Sequence, residues 1–174
     1  PHTAMPRSHR CDGNTTMSRA TPATRMLDAA KVAYRLHTYD YDPEATNIGL
    51  QAAAALGIDP ARMLKTLMVE LDGKPACAIL PVDHELSLKK FAAALGGKHA
   101  TMLPAPTAER ITGYHVGGIS PFGQKKRVPV VLEQSALDHT TVYCNGGQRG
   151  LQLELDPRVF AQVLGAKAAE IVAA

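Results

Sequence analysis

The residue of this sequence most suggestive of chemistry is Lys65, a basic side chain inside an apolar run of β type, residues 64–71. Successive side chains of a strand point to opposite faces, so Lys65 shares with Leu67 and Val69 the face expected to meet the core. A lysine in that place either extends its ammonium into water at the strand end or presents it at the mouth of an apolar cavity. In the second case it could hold an anionic or carbonyl group, and burial would displace its pKa. Both interpretations are open at this point.

A glycine-rich segment, residues 113–123, is the second candidate, and a basic triplet follows it directly: Lys125, Lys126 and Arg127. Adjacent glycines leave backbone N–H groups uncovered, which suits an oxyanion or a phosphate. The segment matches neither the P-loop pattern nor GxGxxG. A plain connecting loop has the same composition, and three consecutive charges are usually a solvated face. The triplet slightly favours an anionic partner.

Two further segments carry polar side chains. Arg35, His37 and Tyr39 share one face of a short predicted strand, where they could serve acid–base chemistry or simply meet solvent at a strand end. A second glycine cluster, residues 145–150, is most simply a hairpin turn, with Arg149 as a possible phosphate contact.

Metal and thiol chemistry are disfavoured. No two of the seven histidines stand at HxxH or HxxxH spacing, so we expect no zinc site and no metal cofactor. The three cysteines, Cys11, Cys77 and Cys144, are odd in number and lack CxxC spacing, which favours buried structural thiols in a reducing cytoplasm.

Composition bounds the class of protein. A chain of 174 residues with 45% hydrophobic and 20% charged residues is expected to form one globular domain, residues 21–174, after a disordered leader or artificial extension, residues 1–20. Met17 is a plausible true start. Of the net charge of +3, the leader carries three arginines against one aspartate, so the domain is nearly neutral and its charge alone indicates no nucleic-acid partner. Aromatic residues are only 5%, which argues against extensive stacking on bases. No run of about 20 apolar residues predicts a membrane span.

Capping residues and periodicity predict the elements that must position the candidates. Thr21 and Pro22 begin a helix that extends to about residue 33, and Asp72 with Gly73 forms the turn of a hairpin. Further helices are expected at 48–57, 87–95, 107–112 and 156–165, and strands at 34–39, 64–71, 74–82, 99–103, 128–133, 141–143 and 148–155. Without strict βαβα alternation, this order predicts an α+β domain around a mixed, largely antiparallel β-sheet, open or closed into a barrel.

Four segments together carry a family resemblance: His37–Pro43, Leu64–Leu67, Val116–Arg127 and Gly146–Gly150. In this order and spacing the chain resembles the YbaK branch of the bacterial prolyl-tRNA editing superfamily. The resemblance extends from Thr21 to Val172.

The resemblance implies a free-standing trans-editing enzyme that hydrolyses mischarged Cys-tRNA(Pro), on a compact mixed-sheet barrel decorated by helices. It implies the aminoacylated acceptor end of tRNA as substrate, with prolyl-tRNA synthetase as an expected partner. In the route proposed for this branch the thiol of the substrate attacks its own carbonyl and leaves as a cyclic thiolactone, so neither a protein nucleophile nor a cofactor is required.

The same resemblance suggests site residues. The family's lysine falls on Lys65, where it would orient the terminal ribose-phosphate region or the aminoacyl group, and the family's tyrosine falls on Tyr39, which would line the pocket with His37 nearby. Backbone groups of the glycine loop would stabilise the oxyanion: Gly117, Gly118, Ile119 and Ser120. The basic triplet and Arg149 are candidate contacts to the acceptor-stem backbone.

Two alternatives remain. One is a deacylase of the same superfamily for another mischarged tRNA, such as Ala-tRNA(Pro), because pocket size decides between substrates. The other is a non-catalytic module that binds tRNA or the synthetase, in which the glycine loop and triplet only hold phosphates.

Overall fold

The computed structural model describes residues 20–174, which form five α-helices, two short 3-10 helices and eight strands. The expected leader, except for residue 20, lies outside the described residues. The helices are α1 Pro22–Ala29, α2 Ile48–Leu56, α3 Leu88–Ala94, α4 Ala105–Thr112 and α5 Val159–Leu164, and the 3-10 helices are Pro60–Arg62 and Gln134–Asp138. The strands are β1 Arg35–Thr38, β2 Leu64–Leu71, β3 Lys74–Pro81, β4 Ala100–Met102, β5 Val130–Glu133, β6 Val142–Asn145, β7 Leu151–Leu155 and β8 Lys167–Ala169. None of the helices in this part of the chain is long and apolar enough to cross a bilayer.

Helix α1 begins where its capping residues predict. The Thr21 hydroxyl accepts a hydrogen bond from the Thr24 backbone N–H, and the Thr24 hydroxyl accepts one from the Thr21 N–H, a reciprocal capping box. The helix ends at Ala29, earlier than expected, because Lys31 adopts a positive φ of 60° that no helix can contain. The Thr21 hydroxyl also donates to the Gly146 carbonyl at 2.6 Å, which attaches the start of α1 to the second glycine cluster.

The β2–β3 hairpin forms at the predicted turn. Asp72 and Gly73 both have positive φ, 50° and 84°, as a two-residue turn between right-twisted strands requires. The strands pair antiparallel from Leu71 opposite Lys74 to Leu64 opposite Pro81. The turn therefore sets the register that places Lys65 near the far end of β2.

The strands form two sheets that are not closed into a barrel, which is the open one of the two arrangements that the sequence allows. One sheet has the order β1-β7-β6, and the other has the order β4-β2-β3-β5-β8. Four of the strand pairings are antiparallel and two, β3 with β5 and β5 with β8, are parallel, so the mixed, largely antiparallel character is confirmed. Within residues 20–174 the sheets are joined by an isolated bridge between Met63 and Tyr143. Strand β8 was not predicted.

Both faces of β2 are covered. Leu64 and Met68 pack in the main core cluster with α1 and α5, whereas Val69 packs in a second cluster with Phe91 of α3. A strand covered on both faces leaves little room for a charged side chain. Lys65 is the second residue of β2, so its ammonium needs open space beside the start of that strand.

Candidate active site

A cavity of about 530 Å³ lies between the two sheets, within the range of roughly 300–1,000 Å³ typical of small-molecule sites. Its walls come from residues far apart in the chain. The first part of β2 contributes residues 64–68, the three-stranded sheet contributes Asn145 and Gln152, and Tyr39 follows the end of β1. The glycine loop contributes Val116, Gly117 and Ile119, while the starts of α2 and α4 complete the enclosure.

Lys65 is one of the residues that line this cavity. Burial lowers the pKa of its ammonium below the ordinary value, while the carboxylates of Glu85 and Asp83 act in the opposite direction. The structure thus places a partly desolvated cation in an otherwise mainly apolar wall. Such a group can hold a phosphate or polarise a carbonyl, and its catalytic role stays a prediction.

The glycine loop reaches the cavity through Gly117 and Ile119. Gly118 and Ser120 are buried behind this wall. The Gly118 N–H donates to the His115 carbonyl at 2.8 Å, and the Ser120 hydroxyl accepts from a neighbouring backbone N–H at 3.2 Å. Within residues 20–174, the N–H groups of Gly117 and Ile119 have no hydrogen-bond acceptor. These two amides, rather than that of Gly118, are the donors that an oxyanion in the cavity could use.

The two glycine clusters pack against each other, which explains why side chains are absent there. Gly117 has a φ of 93°, and a Cβ on it would lie 2.9 Å from the Tyr41 hydroxyl. A Cβ on Gly118 would lie 3.0 Å from the backbone nitrogen of Arg149. Both distances are too short for an unstrained contact, so the loop needs glycine for its backbone conformation and for close approach.

Asn145 joins the two clusters and was not singled out in the sequence. Its side-chain amide donates to the Gly117 carbonyl at 3.2 Å, and its Oδ1 accepts from the Gly147 N–H at 2.6 Å. The signal that could have identified it is the Asn-Gly-Gly order, in which the side chain of asparagine commonly bonds the backbone two residues ahead.

Three buried side-chain atoms that face this region have no hydrogen-bond partner among the described residues: Tyr39 Oη, Thr66 Oγ1 and Gln152 Oε1. All three residues line the cavity. An unpartnered buried polar group costs roughly 1–3 kcal/mol, so three of them in one place indicate a polar ligand that supplies the missing partners.

The hydroxyl of Tyr39 also shows the effect of this environment. Burial raises its pKa, whereas the nearby Gln152 side chain and Gly150 backbone lower it, without either contact reaching hydrogen-bond geometry. The hydroxyl therefore stays a neutral donor and acceptor for a ligand.

Thr66 and Gln152 were also missed by sequence reasoning. Gln152 lies in β7 between Leu151 and Leu153, where alternation alone cannot distinguish a solvent-facing position from a cavity wall. Thr66 has a high β propensity and so fits a strand without any functional explanation.

Other predicted residues lie apart from the cavity wall. His37 bonds the Glu154 carboxylate through Nε2 at 3.0 Å, and it packs against Tyr143 outside the wall. Lys125, Lys126 and Arg127 are exposed, and the last two border a separate hollow of about 70 Å³. Their predicted roles toward tRNA stay predictions.

The thiols of Cys77 and Cys144 are not placed for nucleophilic attack. Both are fully buried and absent from the cavity wall. Burial raises the pKa of Cys77 to about 12 and raises that of Cys144 as well, which keeps both protonated. The structural interpretation of these two cysteines is therefore confirmed.

Comparison with known proteins places this cavity in a family. The model of the aminoacyl-tRNA editing domain matches residues 42–163, which include Lys65, the glycine loop and Gln152. The chain is 36% identical over 153 residues to EbsC of Enterococcus faecalis, whose name describes it as a candidate Cys-tRNA(Pro)/Cys-tRNA(Cys) deacylase, and the match covers 87% of this chain and 92% of EbsC. This protein belongs to the aminoacyl-tRNA editing domain family.

Two other relatives show the same unit in different settings. A proline–tRNA ligase of Acidithiobacillus ferrooxidans is 30% identical over 131 residues, which are 74% of this chain but 22% of the ligase. A solved structure of a candidate trans-editing enzyme for prolyl-tRNA synthetase superposes with a TM-score of 0.74, at 19% identity, over 89% of this chain and 99% of that one. The structural match confirms the fold expected from the resemblance.

Proposed function

We propose that this protein is a trans-editing deacylase that hydrolyses the ester bond of mischarged Cys-tRNA(Pro). The observation that carries the proposal is the shared cavity, which is lined by Lys65 of β2 and by Gly117 and Ile119 with their free amides. That combination supplies a cation and oxyanion donors to an ester that is already activated. The similarity to EbsC over nearly the whole chain supports the same substrate class.

The reaction needs no nucleophile from the protein. In the proposed course the cysteinyl sulfur attacks its own ester carbonyl, the new S–C bond forms, and the bond from that carbon to the ribose oxygen breaks. The thiol proton is transferred to the leaving ribose oxygen, which becomes a hydroxyl, and the thiolactone is later opened by water. Negative charge collects on the carbonyl oxygen in the tetrahedral intermediate, where Gly117 and Ile119 N–H groups stabilise it.

The unpartnered atoms give the aminoacyl group its orientation. Gln152 Oε1 is an acceptor without a donor, and the α-ammonium of the cysteinyl group is a donor that enters the cavity with the substrate. Thr66 Oγ1 and Tyr39 Oη can each donate or accept, which suits the ribose hydroxyl and the ester oxygens. Lys65 then holds the carbonyl or the adjoining phosphate.

We further propose that the protein works in the cytoplasm and meets its substrate alone or together with prolyl-tRNA synthetase. The similarity to part of proline–tRNA ligases supports a functional connection to that enzyme. The exposed triplet 125–127 would contact the phosphate backbone in a way that does not depend on sequence.

The decisive experiment measures release of amino acid from Cys-tRNA(Pro), Ala-tRNA(Pro) and Pro-tRNA(Pro) by the wild-type protein and by Lys65→Ala. We expect cysteine release by the wild type and its loss in the variant, with an unchanged circular dichroism spectrum. Lys74→Ala, which removes an exposed lysine at the start of β3, is the matched control and should keep full activity.

Three results would contradict the proposal. Full activity of Lys65→Ala would remove the lysine from the mechanism, and preferential release of alanine would assign the other substrate. Binding of charged tRNA without any turnover would favour a non-catalytic module. Ser-tRNA(Pro) tests the thiol step, because the less nucleophilic hydroxyl of serine should make it a poor substrate.

A further inference from the structure

Two side chains that line the cavity, those of Tyr41 and the exposed Arg149, form a cation–π pair that the deacylation chemistry does not use. The guanidinium carbon of Arg149 lies 5.5 Å from the centre of the Tyr41 ring, a cation–π distance. Both residues line the cavity, and both lie directly over Gly117.

The pair is held in place by the glycine loop. Arg149 donates from Nε and Nη2 to the Val116 carbonyl, at 3.0 and 2.8 Å. A Cβ on Gly117 would come within 2.9 Å of the Tyr41 hydroxyl and 3.1 Å of Arg149 Nε. The Tyr41–Arg149 pair is thus positioned by the same loop that offers the oxyanion donors, so its distance from the reacting carbonyl is set by the fold.

Tyr41 is also the aromatic side chain best placed to meet a nucleobase. The chain has eight aromatic residues, five tyrosines and three phenylalanines, all within the described part. Of the other seven, Tyr39 lines the cavity but has a buried hydroxyl. The remaining six are buried or packed against a core cluster and do not line the cavity: Tyr34, Phe91, Tyr114, Phe122, Tyr143 and Phe160. Tyr41 is therefore the aromatic residue of the described chain that is available to stack on a base.

The chemistry of the substrate requires such a position. An aminoacyl ester is attached to the terminal ribose of tRNA, so a cysteinyl group bound beside Lys65 and Gly117 brings the base of that nucleotide within reach of the other residues that line the cavity. Bases bind proteins by stacking on tyrosine rings and on guanidinium planes. Val116, which is 43% exposed, and Met102, which is 44% exposed, also line the cavity and add apolar surface to it.

We propose that Tyr41 and Arg149 form the platform that binds the terminal nucleobase of the aminoacylated tRNA. The inference rests on the proposed deacylase function and adds the nucleoside as a second recognised part of the substrate. The platform contributes to binding and not to bond cleavage, because it contacts the base and not the ester.

The test is a binding titration with two stable amide analogues of the substrate, cysteinylamido-adenosine and the corresponding cysteinylamido-ribose that lacks the base. The wild type should bind the adenosine analogue about tenfold to a hundredfold more tightly, since stacking of one base contributes roughly 1–3 kcal/mol. Tyr41→Leu, which keeps apolar volume without a ring face, should lose most of this preference, and Tyr41→Phe should keep it.

Kinetics separate this role from a structural one. With Cys-tRNA(Pro), Tyr41→Leu should raise KM about tenfold and leave kcat within about twofold. This is the effect of losing an interaction that is equally strong in the bound substrate and in the transition state. Arg149→Lys should weaken the preference for the base, whereas the control Arg158→Lys, an exposed arginine paired with Asp156, should not.

The two proposals fail in different ways. If the wild type deacylates Cys-tRNA(Pro) but binds both analogues equally, or if Tyr41→Leu keeps the preference for the base, the platform is refuted and the deacylase stands. If the wild type neither deacylates nor binds either analogue, both proposals are refuted.

Discussion

Asn145 fastens the second glycine cluster to Gly117 of the first, with its side-chain amide donating to the Gly117 carbonyl at 3.2 Å. This hydrogen bond holds the Gly117 carbonyl in place. The N–H of the same residue has no acceptor among residues 20–174 and is available to an oxyanion. The orientation of the proposed oxyanion donor thus depends on a side chain from a different strand, β6.

The first prediction concerns this contact. Asn145→Asp keeps the acceptor for the Gly147 N–H but replaces the donor to Gly117 with a carboxylate that repels the Gly117 carbonyl. We expect kcat for cysteine release to fall about tenfold or more, which corresponds to the roughly 1.4 kcal/mol expected when a positioning hydrogen bond is lost. Stopped-flow or filter-binding deacylation assays measure it, and KM should change little. A variant with wild-type kcat would show that the loop needs no support from β6.

The second prediction concerns Thr66. Thr66→Val preserves the shape of the side chain and removes a buried hydroxyl that has no partner in the protein. The free protein should become more stable by about 1 kcal/mol, because the desolvation cost of an unpartnered group disappears. Deacylation should become slower, because the substrate loses a hydrogen-bond partner. Thermal unfolding and kcat/KM measured on the same samples test the pair of effects. A loss of stability would mean that the hydroxyl is already satisfied in the free protein.

The third prediction concerns Glu154 and acid stability. Burial raises the pKa of its carboxyl, but hydrogen bonds from Thr141 and His37 outweigh burial and hold the pKa below the ordinary value of 4.5. A carboxyl with a lowered pKa in the folded state stabilises the protein fully above its unfolded pKa, and this contribution is lost as pH falls through the folded pKa.

Glu154→Gln should therefore destabilise the protein near neutral pH by about 1 kcal/mol. The difference from the wild type should shrink as pH falls below the ordinary value of 4.5, where the unfolded chain takes up the proton, and should disappear as pH falls through the lower pKa of the folded carboxyl. Urea unfolding at a series of pH values measures the difference, with Glu44→Gln, which removes an exposed carboxylate, as control. A constant difference down to pH 2.5 would be inconsistent with this assignment of charge.

The fourth prediction concerns the exposed triplet at 125–127. Replacing Lys125, Lys126 and Arg127 together by glutamine should weaken binding of whole tRNA and reduce the slope of log K against log salt by up to about 3, since each phosphate contact contributes roughly 0.9. Binding of the adenosine analogue should be unaffected, because the triplet lies away from the cavity. An unchanged salt slope would exclude the triplet from the tRNA interface.

Local features of the fold could be predicted because their causes are local. The capping box at Thr21, the turn at Asp72 and Gly73, and the helix that ends before Gly57 depend on residues within a few positions of each other. Strand β8 depends instead on a parallel pairing with β5, and its three residues, Lys167–Ala169, have weak β propensity. The open form of the two sheets is likewise a long-range property that no local pattern encodes.

The residues of the candidate site also differ in whether the sequence alone could identify them. Lys65 could be singled out because a lysine on a core-facing strand position is unusual, and the glycine loop because of its composition. Thr66 and Gln152 could not, since a polar residue in a strand is ordinary until the structure shows that its polar atom is buried without a partner. The engagement of the Gly118 N–H with His115 is similarly a matter of turn geometry.

The bridge between Met63 and Tyr143 has a consequence for selectivity. Because this bridge is the backbone pairing between the described sheets, which otherwise contact through side chains of the core, a small shift of one sheet would change the space between them without breaking a ladder in either. We expect substitutions behind Met63, at Ala52 or Ala53, to alter which amino acid is accepted although neither residue lines the cavity. The size of amino acid that the cavity accepts would then depend on residues that pack behind its lining and never contact the substrate.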